Sequence, residues 1–156
     1  DSNTHGYRAS NDSRYDEQER WTCLLQKQLG DDYLIIEEGL SGRTTCFPDP
    51  IHEGLSGLDY IYPCLMSHEP VDLLVIMLGT NDTKERFGAS ATCIALGLKR
   101  LIAKEFEGIA SLMGCHYLDA NAVVTEQNHY DYMHLTKEGH QELANALSKV
   151  ILSLFI

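Results

Sequence analysis

The chain has 156 residues, of which 44% are hydrophobic and 22% are charged, a composition that predicts one globular domain over residues 1–156 with a substantial core. Its formal net charge of −11 argues against nucleic acid or an anionic membrane as a partner, because both bind clustered lysine and arginine. The five cysteines form no C-x-x-C pair and the histidines have no metal-like spacing, so we expect neither a disulfide framework nor a metal site.

The first predicted elements in chain order are a loop, a helix and a buried strand. Polar residues predict the loop over 8–15, and apolar residues at helical spacing predict a helix over about 16–29 that ends at Gly30. The short apolar run at 33–36 predicts a buried strand. This strand leads into a glycine-rich turn over 39–45.

The middle of the chain contains the strongest strand signal. An irregular loop over 46–56 and a short helix near 57–67 come first. The nearly continuous apolar run 71–78 follows, and such a run predicts a strand that is covered on both faces. The predicted strand continues directly into the polar turn Gly79-Thr80-Asn81-Asp82.

Two helical patterns and a short strand follow this turn. Ser90 can cap a helix over about 91–102, and a second helical pattern covers about 104–113. Residues 116–118 predict a last short strand.

The chain ends in a polar loop and an amphipathic helix. The loop covers 124–135, and Thr136 can cap the helix, which is predicted over about 137–154. Since strands alternate with helices along the whole chain, we expect an α/β fold with three layers, α/β/α, around a mainly parallel sheet.

Three side chains have the chemistry of a nucleophilic triad. Ser2 needs a base to remove its proton, and that base needs a third group to fix its tautomer and stabilise its cation. His134 and Asp131 are three residues apart in one loop and can turn toward the same point. We therefore interpret Ser2 as a candidate nucleophile, His134 as its base and Asp131 as the partner of the base.

Acyl transfer also needs hydrogen-bond donors for the oxyanion. The N–H of Gly42 in a tight turn and the side-chain amide of Asn81 at the end of a predicted strand are suitable donors. Ligand sites in open α/β sheets lie at this end of the strands. We expect Asp82 to brace the loop and to take no part in the chemistry.

The order of Ser2, Gly42, Asn81 and His134 resembles that of the SGNH (GDSL-type) hydrolase family. The blocks that carry the resemblance are Asp1-Ser2-Asn3-Thr4-His5-Gly6-Tyr7, Glu37-Glu38-Gly39-Leu40-Ser41-Gly42-Arg43-Thr44-Thr45, Leu78-Gly79-Thr80-Asn81-Asp82 and Asp131-Tyr132-Met133-His134. The flanks of the second and third blocks are similar to a bacterial branch of arylesterases and acyltransferases.

The resemblance implies the fold and the activity. It implies a flavodoxin-like parallel sheet and a serine esterase that cleaves small aryl or acetyl esters through an acyl-Ser2 intermediate, with transfer to an alcohol as a second outcome. The oxyanion hole would consist of the Ser2 N–H, the Gly42 N–H and the Asn81 amide. No metal and no cofactor are implied. His5 departs from the aromatic residue often found at its position, so it is our candidate for a residue of the substrate pocket.

Two strands of the family's sheet have no counterpart in the sequence. One would precede Asp1, and the other would lie between the helix after Asn81 and the helix before the last strand. The three strands that remain are not neighbours in the family's order 2-1-3-4-5, so their backbone groups would lack partners. We therefore expect residues to be missing before Asp1 and within about 99–106.

Other functions remain open at this point. A carbohydrate deacetylase would use the same residues, and a binding module without catalysis would use the same fold. A nucleotide binder of the flavodoxin type ranks last, because no G-x-G-x-x-G or Walker-type glycine run follows a strand. No signal peptide is visible and no apolar run is long enough to span a membrane, so we expect a cytoplasmic protein without a membrane partner. The branch also suggests a homo-oligomer.

Overall fold

The computed structural model describes residues 1–106, 118–125, 129–131 and 133–155. Its contacts divide the chain into two compact units. The central unit contains Asp1 and Gly42–His116, and the terminal unit contains Ser2–Ser41 and Tyr117–Ile156. The single domain over 1–156 stays a prediction.

The described elements are mainly helices. Two short strands, β1 and β2, form an antiparallel pair, and six α-helices are numbered α1 to α6 in chain order: α1 Ser2–His5, β1 Tyr7–Arg8, β2 Ser13–Arg14, α2 Trp21–Leu29, α3 Gly57–His68, α4 Ala91–Phe106, α5 Ala120–Val123 and α6 Lys137–Leu154. Two 3₁₀ turns cover Thr80–Thr83 and Glu85–Phe87. None of the helices in these residues is long and apolar enough to cross a membrane.

In the terminal unit, α2 packs against α6. Most of the apolar positions that predicted both helices are buried, including Leu25, Leu29, Leu143, Leu147 and Ile151. The Thr136 hydroxyl accepts the Gly139 N–H at 3.0 Å, so this predicted cap is confirmed.

Helix α2 begins at Trp21, later than its predicted start at about residue 16. Asp16 accounts for the difference, because its backbone carbonyl accepts the N–H groups of Glu19 and Arg20 while its carboxylate accepts the N–H of Gln18. Such a local turn competes with the helix. The loop predicted over 8–15 contains most of the β1–β2 hairpin.

In the central unit, α3 packs against α4. Ser56 caps α3, and the Ser90 hydroxyl accepts the Cys93 N–H at 3.2 Å, as predicted for the start of α4. The core of this unit consists of Leu58, Ile61 and Leu101. Leu74, Ile76 and Leu78 pack against that core.

The two apolar runs predicted as strands have no ladder partner among the described residues. Segment 71–78 nevertheless keeps a period of two, because its even apolar positions face the core while Val71, Leu73 and Val75 are about 40% exposed (40%, 39% and 44%). Leu34 is 80% exposed in the other run. A strand needs a neighbouring strand that pairs with its backbone N–H and C=O groups.

Two further predictions fall largely outside the described residues. The helix over 104–113 is described only up to Phe106, where it continues α4 as one helix. The last short strand, at 116–118, is described only at Leu118.

Candidate active site

Ser2 begins the single turn of α1, at the start of the terminal unit. The turn closes with a hydrogen bond of 2.9 Å from the Gly6 N–H to the Ser2 carbonyl. Gly6 has φ +81°, and a Cβ there would lie 2.5 Å from Cδ of Arg20. A side chain at this φ would be strained, so glycine suits the exit from the turn, and Ser2 itself is 6% exposed.

A second close approach holds this turn from the side. A Cβ on Gly39 would lie 2.3 Å from the backbone nitrogen of His5 and 2.5 Å from the carbonyl carbon of Thr4. Both are backbone atoms, so they cannot swing away as a side chain can. The glycine of the second sequence block therefore lets the chain lie directly against the turn that carries Ser2.

Asp131 organises the loop that carries His134. Its Oδ1 accepts the backbone N–H groups of Met133 and His134 at 3.0 and 3.1 Å. Its Oδ2 lies 2.6 Å from Nδ1 of His134. The three-residue spacing thus allows one carboxylate to bind both the backbone and the ring of the same histidine.

Ser2, His134 and Asp131 form one chain of hydrogen bonds within the terminal unit. Nε2 of His134 lies 2.9 Å from Oγ of Ser2. Because the Asp131 carboxylate can only accept, Nδ1 of His134 carries the proton, and Nε2 is left to accept the Ser2 hydroxyl proton. This is the tautomer that a general base requires.

The charge on Asp131 is well supported. Partial burial raises the pKa of its carboxyl, but the hydrogen bonds from the His134 ring and from the two backbone N–H groups outweigh burial and lower the pKa overall. Asp131 is therefore ionised at neutral pH and can stabilise a protonated His134.

Gly42 and Asn81 lie in the central unit. Gly42 has φ +86°, which an L-residue rarely adopts, so glycine suits this turn. The side-chain amide of Asn81, 4% exposed, donates to the Arg43 carbonyl at 3.1 Å. The amide has two hydrogens, so one N–H remains beyond this bond. The roles of Gly42 and Asn81 as oxyanion donors stay predictions.

Asp82 braces the loops that carry these two residues, as the sequence predicted. It is fully buried, and its carboxylate accepts the backbone N–H of Thr45 at 3.0 and 3.1 Å as well as the Thr45 hydroxyl. One carboxylate thus joins the loop after Gly42 to the loop of Asn81.

His5 is half-buried at the end of α1. Burial and the nearby charge of Arg14 lower the pKa of its imidazole, so the ring is neutral at pH 7. The Arg14 guanidinium also donates to the His5 carbonyl at 2.6 Å. The role of His5 in substrate binding stays a prediction.

Two residues next to the nucleophile were not singled out from the sequence. Asn3 hydrogen-bonds the backbone beside His134, and the Tyr7 ring lies 4.6 Å from the His134 ring, centre to centre, at a tilt of 56°. Both belong to the block that contains Ser2. Their position near Ser2 in the sequence could have suggested them. The sequence does not show, however, that they contact residues more than 120 positions away.

A hydroxyl, an imidazole and a carboxylate bonded in this order define the class of serine hydrolases. Comparison with known proteins identifies the family. Residues 1–106 match the GDSL-like lipase/acylhydrolase family, and the chain belongs to this family. None of the curated proteins compared with the chain matches it.

Several solved structures are similar to this one. The M. smegmatis aryl esterase is 31% identical with a TM-score of 0.87, and the match covers 99% of this chain and 96% of that one. Est24, a carbohydrate acetylesterase from Sinorhizobium meliloti, is 30% identical with the same TM-score and the same coverage. A putative arylesterase from Agrobacterium tumefaciens str. C58 is 24% identical with a TM-score of 0.85, covers 97% and 95%, and shows the fold alone.

These matches confirm the fold and the reaction class that the sequence indicated. The chain has the SGNH hydrolase fold, which is an α/β fold, and it is a serine hydrolase of carboxylic esters.

Proposed function

We propose that the protein hydrolyses small carboxylic esters through an acyl-Ser2 intermediate, with His134 as general base and Asp131 as its partner. The observation that supports this most is the continuous hydrogen-bond chain Ser2 Oγ, His134 Nε2, His134 Nδ1 and Asp131 Oδ2, with distances of 2.9 and 2.6 Å. These distances lie in the range over which a proton passes between positioned groups.

The reaction begins when Oγ of Ser2 forms a bond to the ester carbonyl carbon and its proton passes to Nε2 of His134. The tetrahedral oxyanion collapses, the bond to the alcohol oxygen breaks, and His134 gives its proton to the departing alcohol. Water then repeats the same steps on acyl-Ser2 and releases the acid. Asp131 holds the ring in one orientation and offsets its charge in both halves of the reaction.

The oxyanion would be stabilised by the Ser2 N–H, the Gly42 N–H and the remaining N–H of the Asn81 amide. The buried bond from Asn81 to the Arg43 carbonyl restrains the rotation of that amide. A donor that is already oriented costs no reorganisation when charge develops, which is why such donors contribute strongly to rate.

For the substrate, we propose aryl or acetyl esters without charge. Similar structures are an aryl esterase and a carbohydrate acetylesterase, and the net charge of −11 disfavours anionic substrates. The similarity to Est24 favours a carbohydrate deacetylase as the second candidate. In either case an alcohol can replace water as the acceptor of the acyl group.

The first test compares hydrolysis of p-nitrophenyl acetate by the wild type and by Ser2→Ala. We expect a loss of at least about 10³-fold in kcat, because the residual rate would come from the oxyanion donors and binding alone. Ser10→Ala, at an exposed position of the same unit, is the matched control and should leave the rate unchanged. Equal rates for the wild type and Ser2→Ala would refute the mechanism.

Substrate panels separate the two candidates. Aryl acetates of increasing acyl length, acetylated sugars and a series of alcohol acceptors would be compared by kcat/KM. A preference for acetylated sugars above all aryl esters would select the deacetylase.

A cytoplasmic location and a homo-oligomeric state also stay predictions. Light scattering of the purified protein tests the second of these, and a mass of about 17.5 kDa would contradict it.

A further inference from the structure

The side-chain amide of Asn3 binds the backbone on both sides of His134. Its Oδ1 accepts the N–H of Leu135 at 2.9 Å, and its Nδ2 donates to the carbonyl of Met133 at 3.3 Å. Asn3 is 6% exposed and Leu135 is 9% exposed, so the bond between them is shielded from competing water, whereas the bond to Met133 is only partly buried. One side chain thus contacts both neighbours of the proposed base.

These two bonds differ in kind from the contacts of Asp131. Asp131 holds His134 within its own loop, through bonds to the backbone of Met133 and to the backbone and ring of His134. The bonds of Asn3 instead join that loop to the turn that carries Ser2. Asn3 directly follows Ser2 in the chain. Its amide therefore anchors the loop of His134 to the residue next to the nucleophile.

We propose that Asn3 is a positioning residue that sets the separation of Ser2 Oγ and His134 Nε2. The proposal rests on the proposed function, because it gives Asn3 a part in that reaction. The name GDSL spells Gly-Asp-Ser-Leu, and this chain has Asn3 where the name has leucine. A leucine side chain has no polar atom and makes neither bond.

The substitution Asn3→Leu tests the proposal, because it removes both bonds and keeps a side chain of similar size. We expect kcat for p-nitrophenyl acetate to fall at least about tenfold with KM changed less than about twofold, because small displacements of a base mainly affect the chemical step. The acid limb of the pH profile should stay in place, since the contact between Asp131 and His134 is untouched.

The substitution Asn3→Asp separates the two bonds. An aspartate keeps the acceptor for the Leu135 N–H, loses the donor to the Met133 carbonyl, and adds a negative charge near His134. We expect a smaller loss of kcat than in Asn3→Leu. We also expect the acid limb to move to higher pH, because a nearby anion favours the protonated imidazole. A role in folding alone would not shift this limb.

A measurement without substrate distinguishes failure of this proposal from failure of the proposed function. Hydrogen exchange at the Leu135 amide should accelerate at least about tenfold in Asn3→Leu and stay near the wild-type rate in Asn3→Asp. Asn145→Leu is the matched control, because Asn145 lies exposed on α6 and its amide oxygen accepts from Gln28 and Gln141.

If Asn3→Leu keeps wild-type kcat, or loses only thermal stability, the positioning role is wrong. If Leu135 exchange is unchanged in Asn3→Leu, the contact itself is refuted. If Ser2→Ala is as active as the wild type, the proposed function fails, while the exchange data still decide whether Asn3 holds the loop.

Discussion

Two loops of this protein are organised by the same device, a carboxylate that accepts backbone N–H groups, and they differ in what else the carboxylate does. Asp131 binds two N–H groups of its own loop and leaves its second oxygen to the His134 ring. Asp82 binds the N–H and the hydroxyl of Thr45 and has no histidine partner in the part of the chain that the structure describes.

Exposure follows this difference. The Asp131 side chain is 34% exposed, whereas Asp82 is fully buried. A buried carboxylate whose bonds are all structural contributes to stability, and a partly exposed one bonded to a base contributes to rate. Substitution by asparagine keeps the shape and removes the charge. We therefore expect Asp131→Asn to lower mainly the rate of the reaction and Asp82→Asn to lower mainly the stability of the fold.

The largest effect is expected for Asp131→Asn. The asparagine oxygen can still accept the two backbone N–H groups, but its NH₂ would face Nδ1 of His134 and favour the tautomer with the proton on Nε2. That tautomer cannot accept the Ser2 proton, so we expect kcat to fall about 10³–10⁴-fold.

The same variant should unfold at nearly the wild-type denaturant concentration, with a change in free energy below about 1 kcal/mol. Asp32→Asn, exposed in the same unit, is the control and should change neither property. An active Asp131→Asn would remove this residue from the mechanism.

A second prediction concerns pH and uses a buried histidine outside the proposed triad. His140 is fully buried, and its Nδ1 accepts the Trp21 N–H at 3.2 Å. Burial, and then the charge of Arg20, lower the pKa of this imidazole to about 4 from 6.5. Protonation would bury a charge and break the bond to Trp21, so the fold favours the neutral ring.

This contribution to stability is fully present above pH 6.5 and is lost as the pH falls toward 4, because the unfolded state binds the proton first. The loss amounts to about 3 kcal/mol over that interval. Denaturant unfolding between pH 4 and 7 measures it. The slope should flatten in His140→Gln and persist in His52→Gln, an exposed control.

A smaller loss of unfolding free energy than the one at His140 is expected for Asp82→Asn. An asparagine can accept one of the two Thr45 donors but turns an NH₂ toward the other, which leaves a buried donor unpaired. Such a loss costs about 1–3 kcal/mol of unfolding free energy. Urea unfolding measures it, with the exposed Asp72→Asn as control.

Measurement of kcat at saturating substrate further distinguishes the roles of the two carboxylates. If Asp82 only braces the loops of Gly42 and Asn81, Asp82→Asn should lose far less kcat than Asp131→Asn. An equal loss in both variants would mean that the two carboxylates do not divide stability and rate between them.

Local signals predicted the helices well. The structure has α3 at Gly57–His68 where 57–67 was predicted, and α6 at Lys137–Leu154 where 137–154 was predicted. Capping side chains and apolar spacing act over a few residues, so the sequence shows them directly. The start of α2 was missed because a turn at Asp16 competes locally with the helix.

The apolar runs 33–36 and 71–78 show the limit of such reasoning. Their composition predicts strands, and segment 71–78 does alternate between core and surface. A ladder, however, depends on a neighbouring chain segment, and the described residues supply none. Composition shows which residues suit a strand, whereas strand pairing depends on a second segment of the chain.

The residue types of this protein indicate its chemistry: a serine, a histidine with an aspartate three residues before it, and glycines and an asparagine in the order of one hydrolase family. Only the tertiary structure decided that Ser2 and His134, 132 residues apart, lie 2.9 Å from each other. It also decided that Asn3 binds both neighbours of His134. The physical reason is that residue types set what a group can do, whereas distances between remote residues arise from packing.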